Sequence, residues 1–187
     1  MISEILTNSL SLPQMKNCVF LIGFMGAGKS RLGKRLAKRM NYSFLDADQE
    51  IEKENDASID ELFTRLGERG FRSLETKWLQ DLNVENTIVS LGGGTPCFND
   101  NMSLILEKGK AVYLELAPKV LLDRLQNAKG IRPLIEPIKD DKEALLTFIE
   151  EKLKDREVYY KRANYTTKAM SLSAERLDSL IDEIALL

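Results

Sequence analysis

Gly23-Phe24-Met25-Gly26-Ala27-Gly28-Lys29-Ser30 is a glycine-rich turn ending in lysine and serine, at the spacing G-x-x-x-x-G-K-[ST]. A turn of this kind can point its backbone N–H groups inward around phosphate oxygens. The following helix aims its positive N-terminus at the same anion. Lys29 then reaches the outer phosphates, and the Ser30 hydroxyl is a ligand for Mg²⁺. The plain alternative is a glycine turn joining a strand to a helix. An apolar run before the motif and an amphipathic stretch after it favour the phosphate reading. This predicts nucleotide binding and leaves the acceptor of the phosphate open.

Further along, "FLDADQEIE" closes an apolar run with Asp46 and Asp48. Alternation along a strand predicts both side chains on one side. A strand's C-terminal end faces the ligand crevice of an open α/β sheet. One carboxylate could hold the metal, directly or through water, and the other could orient an acceptor hydroxyl or take its proton. An aspartate here could equally cap the next helix, and the residues alone divide evenly between these readings. A carboxylated acceptor would call for arginine, whose planar fork matches that group. Arg72 lies in "GERGFRSLE" with Glu75 three residues on, either a surface ion pair worth little or a lock on Arg72. Arg132 lies in "GIRPLI", where a mobile loop could fold it over the phosphates. Arg156 lies in a charged helical stretch whose plain reading is solvated surface. Taken singly, each arginine reads as surface. "SLGGGTP" (90–96) places three glycines at a strand's end, either for close approach of backbone to a ligand, the favoured reading, or for a turn at Pro96.

The elements that must carry these residues follow from hydropathy patterning. Apolar runs at 18–22, 43–46, 87–91 and 111–115, and a weaker one at 165–170, predict buried strands. Amphipathic stretches at 29–40, 58–83, 100–107, 118–127, 142–163 and 174–186 predict helices. Their alternation predicts a parallel sheet covered on both faces. The stretch 127–142, with Gly130, Pro133 and Pro137, is expected to be a functional or mobile loop.

Composition narrows the chemistry. The chain has 187 residues and a net charge of −2, the size of one domain with no global basic field for nucleic acid. It contains no histidine, so no catalytic triad, general base or metal ligand can rest on one. Two cysteines, Cys18 and Cys97, do not make a disulfide framework. No apolar run approaches a membrane span, and the first fourteen residues do not read as a signal peptide, so a cytoplasmic protein is expected.

Taken in order, "GFMGAGKS", "FLDADQEIE", "GERGFRSLE", "SLGGGTP", "GIRPLI" and "REVYYKRANY" resemble the motifs of the shikimate kinases, over residues from about 16 to 186. The resemblance implies an α/β, three-layer P-loop NTPase fold. Its five-stranded parallel sheet would have the order 2-3-1-4-5, with a mobile lid at about 126–140. Residues 1–15 would be an extension and 16–187 a single domain. It implies transfer of the ATP γ-phosphoryl group to the 3-hydroxyl of shikimate, by a monomer acting on small molecules, with no nucleic acid or membrane partner. By motif, Asp48, Arg72, Gly93, Gly94 and Arg156 would bind shikimate. Lys29, Asp48 and Arg132 would be catalytic. Gly26, Ala27, Gly28, Lys29, Ser30, Arg31, Arg124 and Arg132 would contact ATP, with Arg124 near the family's adenine-stacking arginine. Ser30 and, through water, Asp46 would hold Mg²⁺. Lys168 and Ala169 depart from the acidic strand end typical of the family's adenine loop. The alternatives are another small-molecule kinase of the same fold, such as a gluconate kinase, or a nucleotide-binding module without catalysis. A GTPase-like switch would want an N-K-x-D segment, which the chain lacks.

Overall fold

Among the described residues five strands form one sheet: β1 (Cys18–Ile22), β2 (Ser43–Asp46), β3 (Thr87–Ser90), β4 (Lys110–Glu115) and β5 (Tyr165–Lys168). The structure is a computed structural model and describes residues 17–128, 134–168 and 173–186. All pairings are parallel, in the order β2-β3-β1-β4-β5, as expected. Every residue of β1 and β3 is buried, as are the four inner residues of β4. Strands covered on both faces show unbroken apolar runs rather than alternation. The edge strands β2 and β5 are partly exposed. Cys18 is a buried β1 residue, as its apolar setting suggests.

Among the described residues seven helices flank the sheet: α1 (Lys29–Met40), α2 (Ala47–Asn55), α3 (Ile59–Asp81), α4 (Asn101–Lys108), α5 (Pro118–Gln126), α6 (Lys142–Tyr160) and α7 (Ala174–Leu186). Short 3₁₀ turns occupy Thr95–Cys97 and Glu136–Ile138. Two elements differ from expectation. Helix α2 starts directly after β2, so Asp48 stands in a first helical turn and does not share a strand face with Asp46. Asp48 and Glu50 suit the positive end of that helix. Helix α3, expected as one continuous run, breaks at Gly67 (φ 66°, ψ 176°). It begins with a capping box, in which Ser58 Oγ accepts from the Glu61 N–H and Glu61 Oε2 accepts from the Ser58 N–H.

The strand register sets the site. Ser90 pairs with Leu21 on one side and Asp46 on the other, so β1, β2 and β3 end together on one edge of the sheet. In the expected lid, Lys139 Nζ donates to the Ala128 carbonyl at 3.1 Å and ties the two flanks together. Ile135 is buried in the core. Gly130, Arg132 and Pro133, like residues 1–15 and Ala169 and Met170, lie outside the described residues. Among the described residues no helix is long and apolar enough to cross a membrane.

Candidate active site

The glycine-rich turn leaves β1 and feeds α1 through Gly28, whose φ of 96° is the left-handed conformation that side chains resist. No acidic residue of α1 itself stands in its first turn, so the helix's own side chains leave its positive end open to an anion. Lys29 is buried and folds onto the turn, donating to the carbonyls of Gly23 at 2.8 Å and Phe24 at 3.0 Å. Arg124 on α5 reaches across and donates to the carbonyls of Gly26 at 3.2 Å and Ala27 at 2.9 Å. Gly26, Gly28, Lys29, Ser30, Arg31 and Arg124 line a cavity of about 390 Å³. Ala27 does not line it: the residue is buried, and its N–H donates to the Phe24 carbonyl at 3.1 Å.

Ser30 joins the turn to the strand ends. Its hydroxyl donates to Asp46 Oδ2 at 2.5 Å and lies 3.3 Å from the Ser90 hydroxyl. Asp46 occupies the N-cap position of α2, yet its side chain does not cap the helix. The helix-capping reading therefore fails for this carboxylate. Oxygen donors only, one carboxylate among them, suit a hard cation that keeps several waters, which is Mg²⁺ rather than a softer metal. Sequence reasoning missed Ser90; its place at the end of a buried run, ahead of the three glycines, was the available signal.

A second cavity, of about 570 Å³, opens beside the first. Asp48, Gly92 and Gly93 line both. The second also receives Arg72, Arg156 and Gly94, so the structure brings together all five residues assigned to shikimate. Neither arginine is surface. Arg72 is 6% exposed and Arg156 7%. Arg72 Nη1 donates to Glu75 Oε2 at 2.6 Å, and Nη2 reaches Glu68 at 3.2 Å. The guanidinium also faces the rings of Phe63, Phe71 and Phe98, the last at 4.6 Å. Glu75 is itself 1% exposed, and its other oxygen accepts from the Thr95 hydroxyl. Burial would weaken the Arg72 charge, but Glu75 and Glu68 more than offset it and hold the proton. Glu75 is therefore the lock on Arg72, not half of an exposed pair. Arg156 lies over the Phe24 ring at 5.4 Å.

The three glycines earn their place through missing side chains. A methyl at Gly94 would stand 2.6 Å from Arg72 Nη2. One at Gly92 would stand 2.8 Å from Glu75 Oε1 and 3.0 Å from Asp48 Oδ1. One at Gly93 would press on the Met25 N–H and the Gly23 carbonyl. At Gly92 and Gly94 the backbone approaches the site's own charged side chains, and all three glycines also line the second cavity.

Asp48 stands where the cavities meet. Burial, then the charges of Glu75 and Asp46, raise its carboxyl to about 6, against the opposing pull of Lys29. Arg132 falls outside the described residues.

A glycine turn on a strand end, a hydroxyl–carboxylate pair beside it and an arginine-walled second cavity sharing one aspartate define a P-loop phosphotransferase with a small anionic acceptor. The Shikimate kinase family model matches residues 25–185. A shikimate kinase of Bacteroides thetaiotaomicron is 41% identical over 173 residues, covering 88% of this chain and 98% of its own. The crystal structure of shikimate kinase from the same species superposes with a TM-score of 0.83 at 39% identity, over 91% of this chain and 98% of that one. Shikimate kinase from Acinetobacter baumannii, solved in complex with shikimate, gives 0.78 at 31% identity, over 91% and 94%. This chain belongs to the shikimate kinase family.

Proposed function

We propose that the chain phosphorylates the 3-hydroxyl of shikimate with ATP, releasing shikimate 3-phosphate and ADP, as a cytoplasmic monomer of the route to chorismate and aromatic amino acids. The observation that carries this reading is Asp48, which lines both the phosphate cavity and the two-arginine cavity. A hydroxyl held by Asp48 on one side of that junction would face the γ-phosphorus on the other.

Arg72 and Arg156 grip the shikimate carboxylate, and the Gly93–Gly94 backbone supports the ring. Asp48 orients the ring hydroxyls and accepts the proton of the 3-hydroxyl as its oxygen bonds to the γ-phosphorus. The bond from that phosphorus to the bridging oxygen breaks, and ADP leaves with the electron pair. Lys29 turns from the Gly23 and Phe24 carbonyls to the phosphate oxygens. Arg132 supplies a second positive charge, and the segment around it, about 126–140, closes as a lid to exclude water. Gly26, Ala27, Gly28, Ser30 and Arg31 hold the phosphates, and Arg124 the adenine side. Ser30 and, through water, Asp46 are the residues to hold Mg²⁺, which when bound would neutralise phosphate charge. Little covalent work falls to the protein in such a transfer, which suits a chain without histidine.

The deciding experiment is ADP release from MgATP by purified protein with shikimate, quinate, gluconate or AMP. Stimulation by shikimate alone is expected. Stimulation by gluconate or AMP instead, or ATP binding without acceptor-dependent turnover, would overturn the reading.

A further inference from the structure

Arg72 and Arg156 reach the same cavity with different support. Arg72 has two carboxylate partners, Glu75 and Glu68. Among the described residues no carboxylate forms an ion pair with Arg156, although it is 7% exposed. A buried cation without a counter-ion keeps its full charge for a ligand, but something must still fix its direction. Tyr160, one helical turn later on α6, is fully buried. Its hydroxyl donates to the Gly93 carbonyl at 2.5 Å. Arg156, four residues earlier on the same helix face, holds its guanidinium beside that glycine, with Nη1 3.6 Å from where a methyl on Gly93 would stand. The Tyr113 ring braces the phenol, 5.0 Å away at 31°.

We infer that Tyr160 is a positioning residue for acceptor binding: anchored on the Gly93 carbonyl, its hydroxyl aims Arg156 into the cavity without neutralising it. A carboxylate in that place would fix Arg156 equally well and compete with the acceptor for its charge. A phenol does not, and burial pushes the Tyr160 hydroxyl well above its ordinary pKa, so it stays neutral at every working pH. The same hydroxyl couples Arg156 to Gly93, which is packed against the P-loop backbone at Met25 and Gly23. The arginine is thereby referenced to the phosphate site, so the acceptor's two ends stay in register.

The inference rests on the assignment of Arg156 to the acceptor carboxylate, and the test separates the two. Tyr160→Phe keeps the ring and removes the oxygen. Its KM for shikimate should rise roughly 10-fold, with KM for ATP within about 2-fold and kcat within about 3-fold. In an Arg156→Ala background the same change should alter the shikimate KM by less than about 2-fold. Melting with each substrate covers a less stable variant: the Tm increment from shikimate should shrink while that from MgATP persists. Arg156→Ala with an unchanged shikimate KM would overturn the site assignment itself. An Arg156→Ala defect beside normal Tyr160→Phe kinetics would overturn only the role of Tyr160. An equal rise in both KM values would make Tyr160 a general structural residue and also refute the inference.

Discussion

Truncating Arg72 should damage the fold as well as acceptor binding, whereas truncating Arg156 should damage binding alone. Arg72→Ala leaves Glu75, at 1% exposure, without its 2.6 Å partner. Breaking a buried pair by removing one partner costs about 3–5 kcal/mol. Glu75 keeps the Thr95 hydroxyl, and the cavity admits water, so the loss here should be about 2–3 kcal/mol. In a chain of this length each kcal/mol moves Tm by about 2–4 °C, which predicts a fall of about 5–10 °C. Arg156→Ala strands no carboxylate among the described residues. It loses the contact with Phe24, worth about 1 kcal/mol, and relieves a buried charge without a counter-ion, so Tm should stay within about 3 °C. Thermal melting of both variants at pH 7, followed by shikimate titration, reads the two effects separately. The double variant Arg72→Ala, Glu75→Gln removes the stranded charge and should recover at least half of the lost Tm without recovering shikimate affinity. A single Arg72→Ala variant that melts within about 2 °C of the parent, or a double variant no more stable than the single, would refute the closed-pair reasoning.

Four further outcomes are expected. Asp48 titrates near 6 in the native protein against 3.8 unfolded, so the native state binds the proton more tightly and its carboxylate lowers stability as pH rises through that window. Metal-free Asp48→Asn should therefore melt above the parent at pH 8 and gain nothing at pH 4. The same variant should lose turnover by about 10²-fold or more with ATP affinity nearly intact; normal kcat would remove Asp48 from the chemistry. Gly94→Ala would place a methyl against a guanidinium that Glu75 prevents from swinging away, so KM for shikimate should rise about 10-fold or more while KM for ATP holds. Equal kinetics would mean that Arg72 has room to shift. Ser30→Ala should raise the Mg²⁺ concentration for half-maximal rate by about 10-fold or more, and unchanged Mg²⁺ demand would strike Ser30 from the metal's ligands.

What the sequence disclosed and what it hid divide along the range of the interactions involved. The P-loop is local: its glycines, Lys29 and Ser30 are contiguous, and the β1 and α1 patterns beside it are strong, so position and chemistry were both legible. Helix α2 was less so, because "FLDADQEIE" runs from strand into helix with no intervening turn, and two aspartates two apart mimic strand alternation. The break at Gly67 was hidden by amphipathic residues on either side, although Ser58 and Glu61 marked where α3 begins. The arginines were the hardest. An Arg72–Glu75 spacing of three reads as a surface pair in any exposed helix; what buries it comes from far along the chain, in Phe98, Thr95 and the bare backbone of Gly94. Burial is a tertiary property, so no local window could show it. The glycine triplet was the one residue-level trace: a strand end that refuses three side chains in a row implies something bulky pressed against it. Here that something is Glu75 at Gly92, the P-loop backbone at Gly93 and Arg72 at Gly94, and the site is built around the space they occupy.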